Sequence, residues 1–338
     1  IGSIDSTFSS ADGKIFRYSL LQNNWSISDT MTLPYVHEPA VTVINDSLIV
    51  VIGGSTNGFQ GAINRVRFYE PELGIWKNTT AFPVNNSTAH AEFNINGEDS
   101  SIFVFGGYSA GFLNTVYKGR LNYYNEDSTL INWQLYCNVP FSSPVYRVAG
   151  TKWKNYMLMG PAMNSGTSLN NIWGLSITDT IGYWTNFLPA SGDSAAIIST
   201  FSAISGLDSN YFYLFGGYKN PIVLSTAQKY SFITPPPIGI INISNQIPSN
   251  FRLYQNYPNP FNPVTKIKFD YIRFSGVNEL TLSIFDINGK VAASYKFSGL
   301  NSGTYEIIFD GKGFASGVYF YSLTDLNRSF SKKMILLK

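Results

Sequence analysis

His37 and His90 are the only two histidines of the chain, and each lies sixteen residues before the first glycine of a Gly-Gly pair, Gly53 and Gly106. An imidazole is the usual proton shuttle near neutral pH and a frequent metal ligand. The same place taken twice reads instead as a structural role near the start of a strand. Zinc would need His or Cys pairs at ligand spacing, and Cys137 stands alone. There is no Gly-x-Ser-x-Gly elbow and no phosphate-binding glycine loop. Glu38 follows His37 and Glu92 lies near His90, a sparse acid set for hydrolysis or elimination. Arg17, Arg65, Arg67 and Arg147 suit either an anionic ligand or the guarding of strand edges. The reading is therefore no catalytic residue, no metal and no cofactor. Aromatics follow the Gly-Gly pairs: Phe59, Tyr108, Phe112 and Tyr218. They suit stacking on a sugar or gripping a peptide, or packing within their own loops.

These residues sit in a repeat. Apolar runs end in paired glycines at Ile49-Val-Val-Ile-Gly53-Gly54, Ile102-Phe-Val-Phe-Gly106-Gly107 and Phe212-Tyr-Leu-Phe-Gly216-Gly217, with Met157-Leu-Met-Gly160-Pro161 a degenerate copy between. The first glycines are 53, 54 and 56 residues apart. Trp25, Trp76, Trp133 and Trp184 follow the same rhythm. Tyr18 and Tyr69 each precede a tryptophan by seven residues. A strand closed by Gly-Gly, then a tyrosine strand, then a tryptophan strand resembles the kelch repeat. That resemblance implies a β-propeller, in which four-stranded blades cover one another's faces. Residues 1–232 hold about five blades, the first beginning midway at Ile1-Gly2-Ser3. Closure by N-terminal strands and truncation of a six- or seven-bladed ring both remain open. The expected fold is all-β: a kelch-type propeller followed by a small β-sandwich.

Residues 233–250, with Pro235 to Pro237, read as a stiff linker, in which Ile238-Gly-Ile-Ile-Asn-Ile243 is more apolar than a free linker should be and suits a strand on either domain. Residues 251–338 alternate as half-buried strands do. Ile267, Phe269 and Tyr271 face one way, and Lys266, Lys268 and Asp270 the other. Asn288-Gly289 supplies the positive φ of a hairpin turn. Leu253-Tyr-Gln-Asn-Tyr-Pro-Asn-Pro-Phe-Asn-Pro263, Ile284-Phe-Asp-Ile-Asn-Gly-Lys290, Ala315-Ser-Gly-Val-Tyr-Phe-Tyr321 and Lys332-Lys-Met-Ile-Leu-Leu-Lys338 resemble the type A C-terminal sorting domain of the type IX secretion system. The resemblance implies export through the periplasm and across the outer membrane of Bacteroidota-like bacteria, with the secretion machinery as partner and release or lipopolysaccharide attachment as the end. Asn288, Gly289 and Lys290, the strand entry Gly317 and Tyr319, and Lys332, Lys333 and Lys338 are the expected recognition and folding determinants.

Composition agrees. Aromatic residues make up 16% and charged residues 13% of the chain, which favours strands over solvated helices. The net charge is +2, which gives no reason for a nucleic-acid partner. It is uneven: residues 1–250 hold 12 basic and 15 acidic side chains, residues 251–338 hold 11 and 6. Apolar runs are strand-length, so no integral membrane segment is expected. Ile1-Gly-Ser-Ile-Asp-Ser-Thr lacks the basic start and apolar core of a signal peptide, as in a mature form or a fragment. The expected function is a secreted or cell-surface binding protein for an extracellular glycan or protein. The alternative is a polysaccharide hydrolase or lyase on the same scaffold.

Overall fold

The computed structural model describes residues 13–19, 21–45, 47–57, 61–96, 99–123, 129–141, 143–160, 162–164, 167–169, 172–177, 183–187, 211–219, 222–231, 238–273, 279–298, 300–325 and 328–338. These residues form strands and turns. No helix among them is long and apolar enough to cross a membrane.

β1 (Lys14–Ser19) and β2 (Asn24–Thr30) form a hairpin in which Tyr18 pairs with Trp25. β3 (Ala40–Ile44), β4 (Leu48–Ile52), β5 (Val66–Glu70) and β6 (Ile75–Asn78) make a four-stranded antiparallel meander. β7 (His90–Asn96), β8 (Asp99–Phe105), β9 (Thr115–Tyr123) and β10 (Thr129–Asn138) repeat it. The third copy consists of β11 (Gly150–Trp153) and β12 (Tyr156–Met159), an inserted hairpin of β13 (Ala162–Asn164) and β14 (Thr167–Leu169), then β15 (Ile172–Ser176) and β16 (Tyr183–Phe187). β17 (Tyr211–Lys219), which carries Gly216 and Gly217, pairs with β18 (Ile222–Ser231). The tyrosine and tryptophan strands meet in register, Tyr69 opposite Trp76 with their rings stacked at 4.6 Å.

The meanders stack face on face. Ala40, Val50, Ile52, Val66 and Phe68 of the first pack on Phe82, Ala91, Ile102 and Val104 of the second. Phe103, Phe105 and Val116 on the other face of the second pack on Val145, Met157, Met159 and Trp184. Each fully buried side chain of this size contributes roughly 1.5–3 kcal/mol, and no single meander could bury both of its faces. The paired glycines staple the stack. The Gly54 amide donates to the Asn86 carbonyl at 2.8 Å, and the Gly107 amide to the Val145 carbonyl at 2.8 Å. A Cβ on Gly53, where φ is +63°, would fall 2.1 Å from the Asn86 oxygen. The indoles finish the job: Trp133 donates to the Thr80 carbonyl and Trp184 to the Asn138 carbonyl, so each ring buries its body and satisfies its N–H.

The C-terminal sandwich is built from β19 (Ile238–Ser244), β20 (Arg252–Leu253), β21 (Val264–Tyr271), β22 (Glu279–Phe285), β23 (Val291–Ser298), β24 (Gly303–Asp310), β25 (Gly317–Thr324) and β26 (Ser329–Leu336). One sheet runs β19-β24-β21-β20 and the other β23-β22-β25-β26, with β23 also pairing β16. The alternation in β21 falls as expected: Ile267, Phe269 and Tyr271 are buried, while Lys266 and Lys268 are exposed. The boundary read at residue 251 moves, however. β19 pairs with β24 from Ile238 to Ser244, so much of the expected linker is a sandwich strand. Ile240 packs on the sandwich core, which accounts for a stretch too apolar to be a free linker.

Candidate functional site

Three residues with left-handed backbone mark one end of the stacked meanders: Glu38 (φ 49°), Thr88 (φ 59°) and Arg147 (φ 50°). The Thr88 amide donates to the Glu38 carbonyl and the Arg147 amide to the Thr88 carbonyl, both at 2.8 Å. Each follows a residue bridged to the segment beyond its repeat's paired or single glycine: His37 to Ser55, Ser87 to Tyr108, Tyr146 to Met163. Consecutive repeats are thus threaded together here by backbone bonds. Across Thr88, the Arg147 guanidinium reaches the Glu38 carboxylate at 3.3 Å.

An aromatic row continues from that ion pair. Arg147 lies 5.7 Å over the Tyr146 ring. Tyr146 stacks on Phe112 with centroids 4.5 Å apart and planes 10° from parallel. Phe112 meets Tyr108 edge-on at 5.5 Å. Tyr108 and Phe112 are half-buried, so part of each ring faces solvent. Of the four expected ligand-binding aromatics, the structure therefore brings two together and adds Tyr146. Tyr218 lies on β17 opposite Val223, and Phe59 lies outside the described residues. Tyr146 had no flag in the sequence because it precedes its repeat's glycine instead of following it.

The two histidines are not repeat equivalents. His37 takes the place of Ser87 and Tyr146. His90 opens β7 as Ala40 opens β3 and Gly150 opens β11, each paired with the residue before its repeat's glycine. The β7–β8 hairpin is longer than the β3–β4 hairpin, and the extra residues offset the different starting points to give the same count of sixteen. His90 Nε2 lies 3.6 Å from Glu92 Oε2, and its ring lies 6.0 Å from Phe105. Among the described residues no group of three His, Cys, Asp or Glu side chains is placed to hold a metal ion. Burial pushes the Cys137 thiol up, away from the reactive thiolate.

Of the four arginines, only Arg147 adjoins the aromatic row. Arg67 is 1% exposed, donates to the Thr32 carbonyl and lies 5.0 Å over Trp76. Burial and the neighbouring Arg65 pull its pKa down to about 10, so it stays charged at neutral pH. Arg65 donates to the Leu33 carbonyl and to Asn78 Oδ1. Both tie down the segment after β2. Arg17 is exposed on β1.

In the sandwich, Asp286 builds the Asn288-Gly289-Lys290 turn by accepting the Asn288 and Lys290 amides at 2.8 and 2.9 Å. Gly289 has φ +77°, as the turn requires. Gly317 opens β25 opposite Leu336, and Tyr319 is buried with its hydroxyl donating to the Ala315 carbonyl at 2.9 Å. Phe285 pairs with Phe320, and Phe320 with Lys333. This register puts Lys290, Lys333 and the chain end at one end of the sandwich. Lys338 is fixed there by its amide on Ser316 Oγ and its ammonium on the Lys312 carbonyl. Lys332 is exposed on β26 opposite Tyr321.

The proline-rich lead-in clasps the last strand. Phe261 and Leu336 form a parallel bridge, the Phe261 amide donates to the Ile335 carbonyl, and the Ile335 amide donates to Asn259 Oδ1 at 2.9 Å. The Tyr321 hydroxyl donates to the Tyr254 carbonyl and accepts the Asn256 amide, both at 2.8 Å. The sequence displayed both blocks but gave no sign that they are partners.

Residues 255–337 match the family model of the secretion system C-terminal sorting domain. No curated protein matches the chain. A solved structure of YjhT is similar over 67% of this chain and 75% of that one, with 10% identity and a TM-score of 0.49. The C-terminal segment is thus a type IX sorting domain that engages the secretion machinery, and the protein is one exported to the cell surface or the extracellular space.

Proposed function

We propose that the repeat region is a kelch-type β-propeller that binds an extracellular glycan or protein without catalysis, and that the sorting domain delivers it. Three features support the propeller: successive four-stranded meanders stacked by their faces, Gly-Gly staples between neighbours, and the first strands β3 and β11 each in contact with β7 between them. About five blades fit the repeat spacing.

The ligand site is the row Tyr108, Phe112, Tyr146 and Arg147, and the half-buried Tyr108 and Phe112, joined through the buried Tyr146 to a cation, carry the proposal. Such a surface stacks on sugar faces or on a peptide's apolar side chains. Glu38 faces Arg147 and Glu92 faces His90, which favours binding over the paired acids of a polysaccharide hydrolase or lyase. The full chain should bind on a glycan array or capture a protein from outer-membrane extract. Phe112→Ala and Arg147→Ala should each weaken that binding about tenfold or more. Binding unchanged in both variants would contradict this site.

On the sorting domain, the machinery reads the end that carries Lys290, Lys333 and Lys338. Three cations there fit the domain's basic excess.

A further inference from the structure

β16 occupies the place in its meander that β6 and β10 occupy in theirs, at the last strand. The described neighbours of β6 and β10 end there. β16 goes on to pair antiparallel with β23, Tyr183 opposite Phe297, Trp184 opposite Lys296 and Thr185 opposite Tyr295. The third meander and one sheet of the sandwich are therefore a single eight-stranded sheet.

The two strands are made for this seam. β6 carries Lys77 and is largely exposed, as a sheet edge in water should be. β16 reads Tyr-Trp-Thr-Asn-Phe, without a charge, and four of its five residues are buried. Tyr183 belongs to the sandwich core and lies 5.9 Å from the Phe297 ring. Tyr295 is buried near Tyr156 and Tyr183, and that burial drives its hydroxyl pKa well above the usual range. Lys296 pins the seam from the sandwich side. Its ammonium donates to the Pro140 carbonyl at 2.8 Å, lies 3.4 Å from Glu279 Oε2 and sits 5.4 Å over the Trp173 ring. Pro140 and Trp173 belong to the repeat region. The lysine-bearing end adjoins Val291, the start of β23, while the seam takes residues 295–297 near its finish. Recognition by the export machinery and closure of the seam do not compete for the same surface.

We propose that the sorting domain is a non-covalently seated cover for the β16 edge, held by strand pairing and the Lys296 pin independently of the covalent linker. Its second role, beside addressing the protein, is to keep an uncharged sheet edge from pairing with other chains during export. Main-chain pairing supplies affinity in such strand additions, and the desolvated cation fixes the register.

The test uses the full chain with a specific protease site placed within residues 232–237. After complete scission, the two fragments should elute together at the mass of the intact protein at about 1 μM. Lys296→Glu should weaken the association about tenfold or more, because it sets a carboxylate against Glu279 and the Pro140 carbonyl. In the uncut chain, amides of residues 183–187 should exchange with solvent about tenfold more slowly than those of β6, and Lys296→Glu should erase the difference. Two results would overturn the proposal: wild-type fragments that separate on scission while each keeps its native circular dichroism, or a folded Lys296→Glu chain whose 183–187 amides stay fully protected.

Discussion

The Asn86 side-chain amide donates to the carbonyl of Gly106 at 3.1 Å. Its backbone carbonyl meanwhile accepts the amide of Gly54, and the residue is 2% exposed. One asparagine thus joins the glycine pair of its own repeat to that of the preceding one. The spacing of glycines in the sequence is the trace of this joint, since only a residue without Cβ lets the two backbones meet.

Gly53→Ala should destabilise the protein by about 2–4 kcal/mol in chemical denaturation. The substitution adds a Cβ at φ +63° against a backbone oxygen that cannot swing away. A loss below about 0.5 kcal/mol would mean the stack does not depend on this contact.

Asn86→Ala should cost less, about 1–3 kcal/mol, because the Gly54 bond to its main chain survives. The lost partner is the buried Gly106 carbonyl. Denaturant midpoints of the two variants should rank Gly53→Ala below Asn86→Ala.

Tyr321→Phe tests the clasp of the sorting domain. The change leaves the Asn256 amide and Tyr254 carbonyl without their partner, at about 1–3 kcal/mol. Burial raises the Tyr321 hydroxyl from 10 to about 12, against a hydrogen bond from Asn256. The unfolded chain ionises first, so this residue's contribution is whole below pH 10 and falls away between pH 10 and about 12. Over that window the stability gap between wild type and Tyr321→Phe should close by on the order of 2 kcal/mol. A gap that stays constant or widens would contradict the assignment.

Asp286→Ala should lower sandwich stability by about 1 kcal/mol, since a half-buried carboxylate holding two turn amides acts as a cap does. Thermal unfolding would show it as a modest fall in midpoint.

Strand type and repeat were legible because Gly53, Gly106, Trp76 and Trp133 each meet a requirement that few other residues can meet. The alternation of Ile267, Phe269 and Tyr271 gave the sandwich face for the same reason. What stayed hidden was pairing at a distance. Ile238 to Ile243 is too apolar for a free linker, yet nothing in a single apolar run names its partner strand, which is β24. Nothing in the sequence ties Lys296 to its acceptor, the Pro140 carbonyl 156 residues away. The histidines misled because counting residues ignores hairpin length, and the register of β7 with β8 decides equivalence. Tyr146 was missed because its ring joins Phe112 only after two repeats have stacked.

The C-terminal sandwich is the export address. Residues 238–338, which include β19, should be fused to an inert periplasmic reporter in a bacterium that has the type IX machinery. The reporter is expected on the cell surface or in the medium, and Lys290→Glu combined with Lys333→Glu should return it to the periplasm. A wild-type fusion that folds yet never leaves the periplasm would contradict the claim.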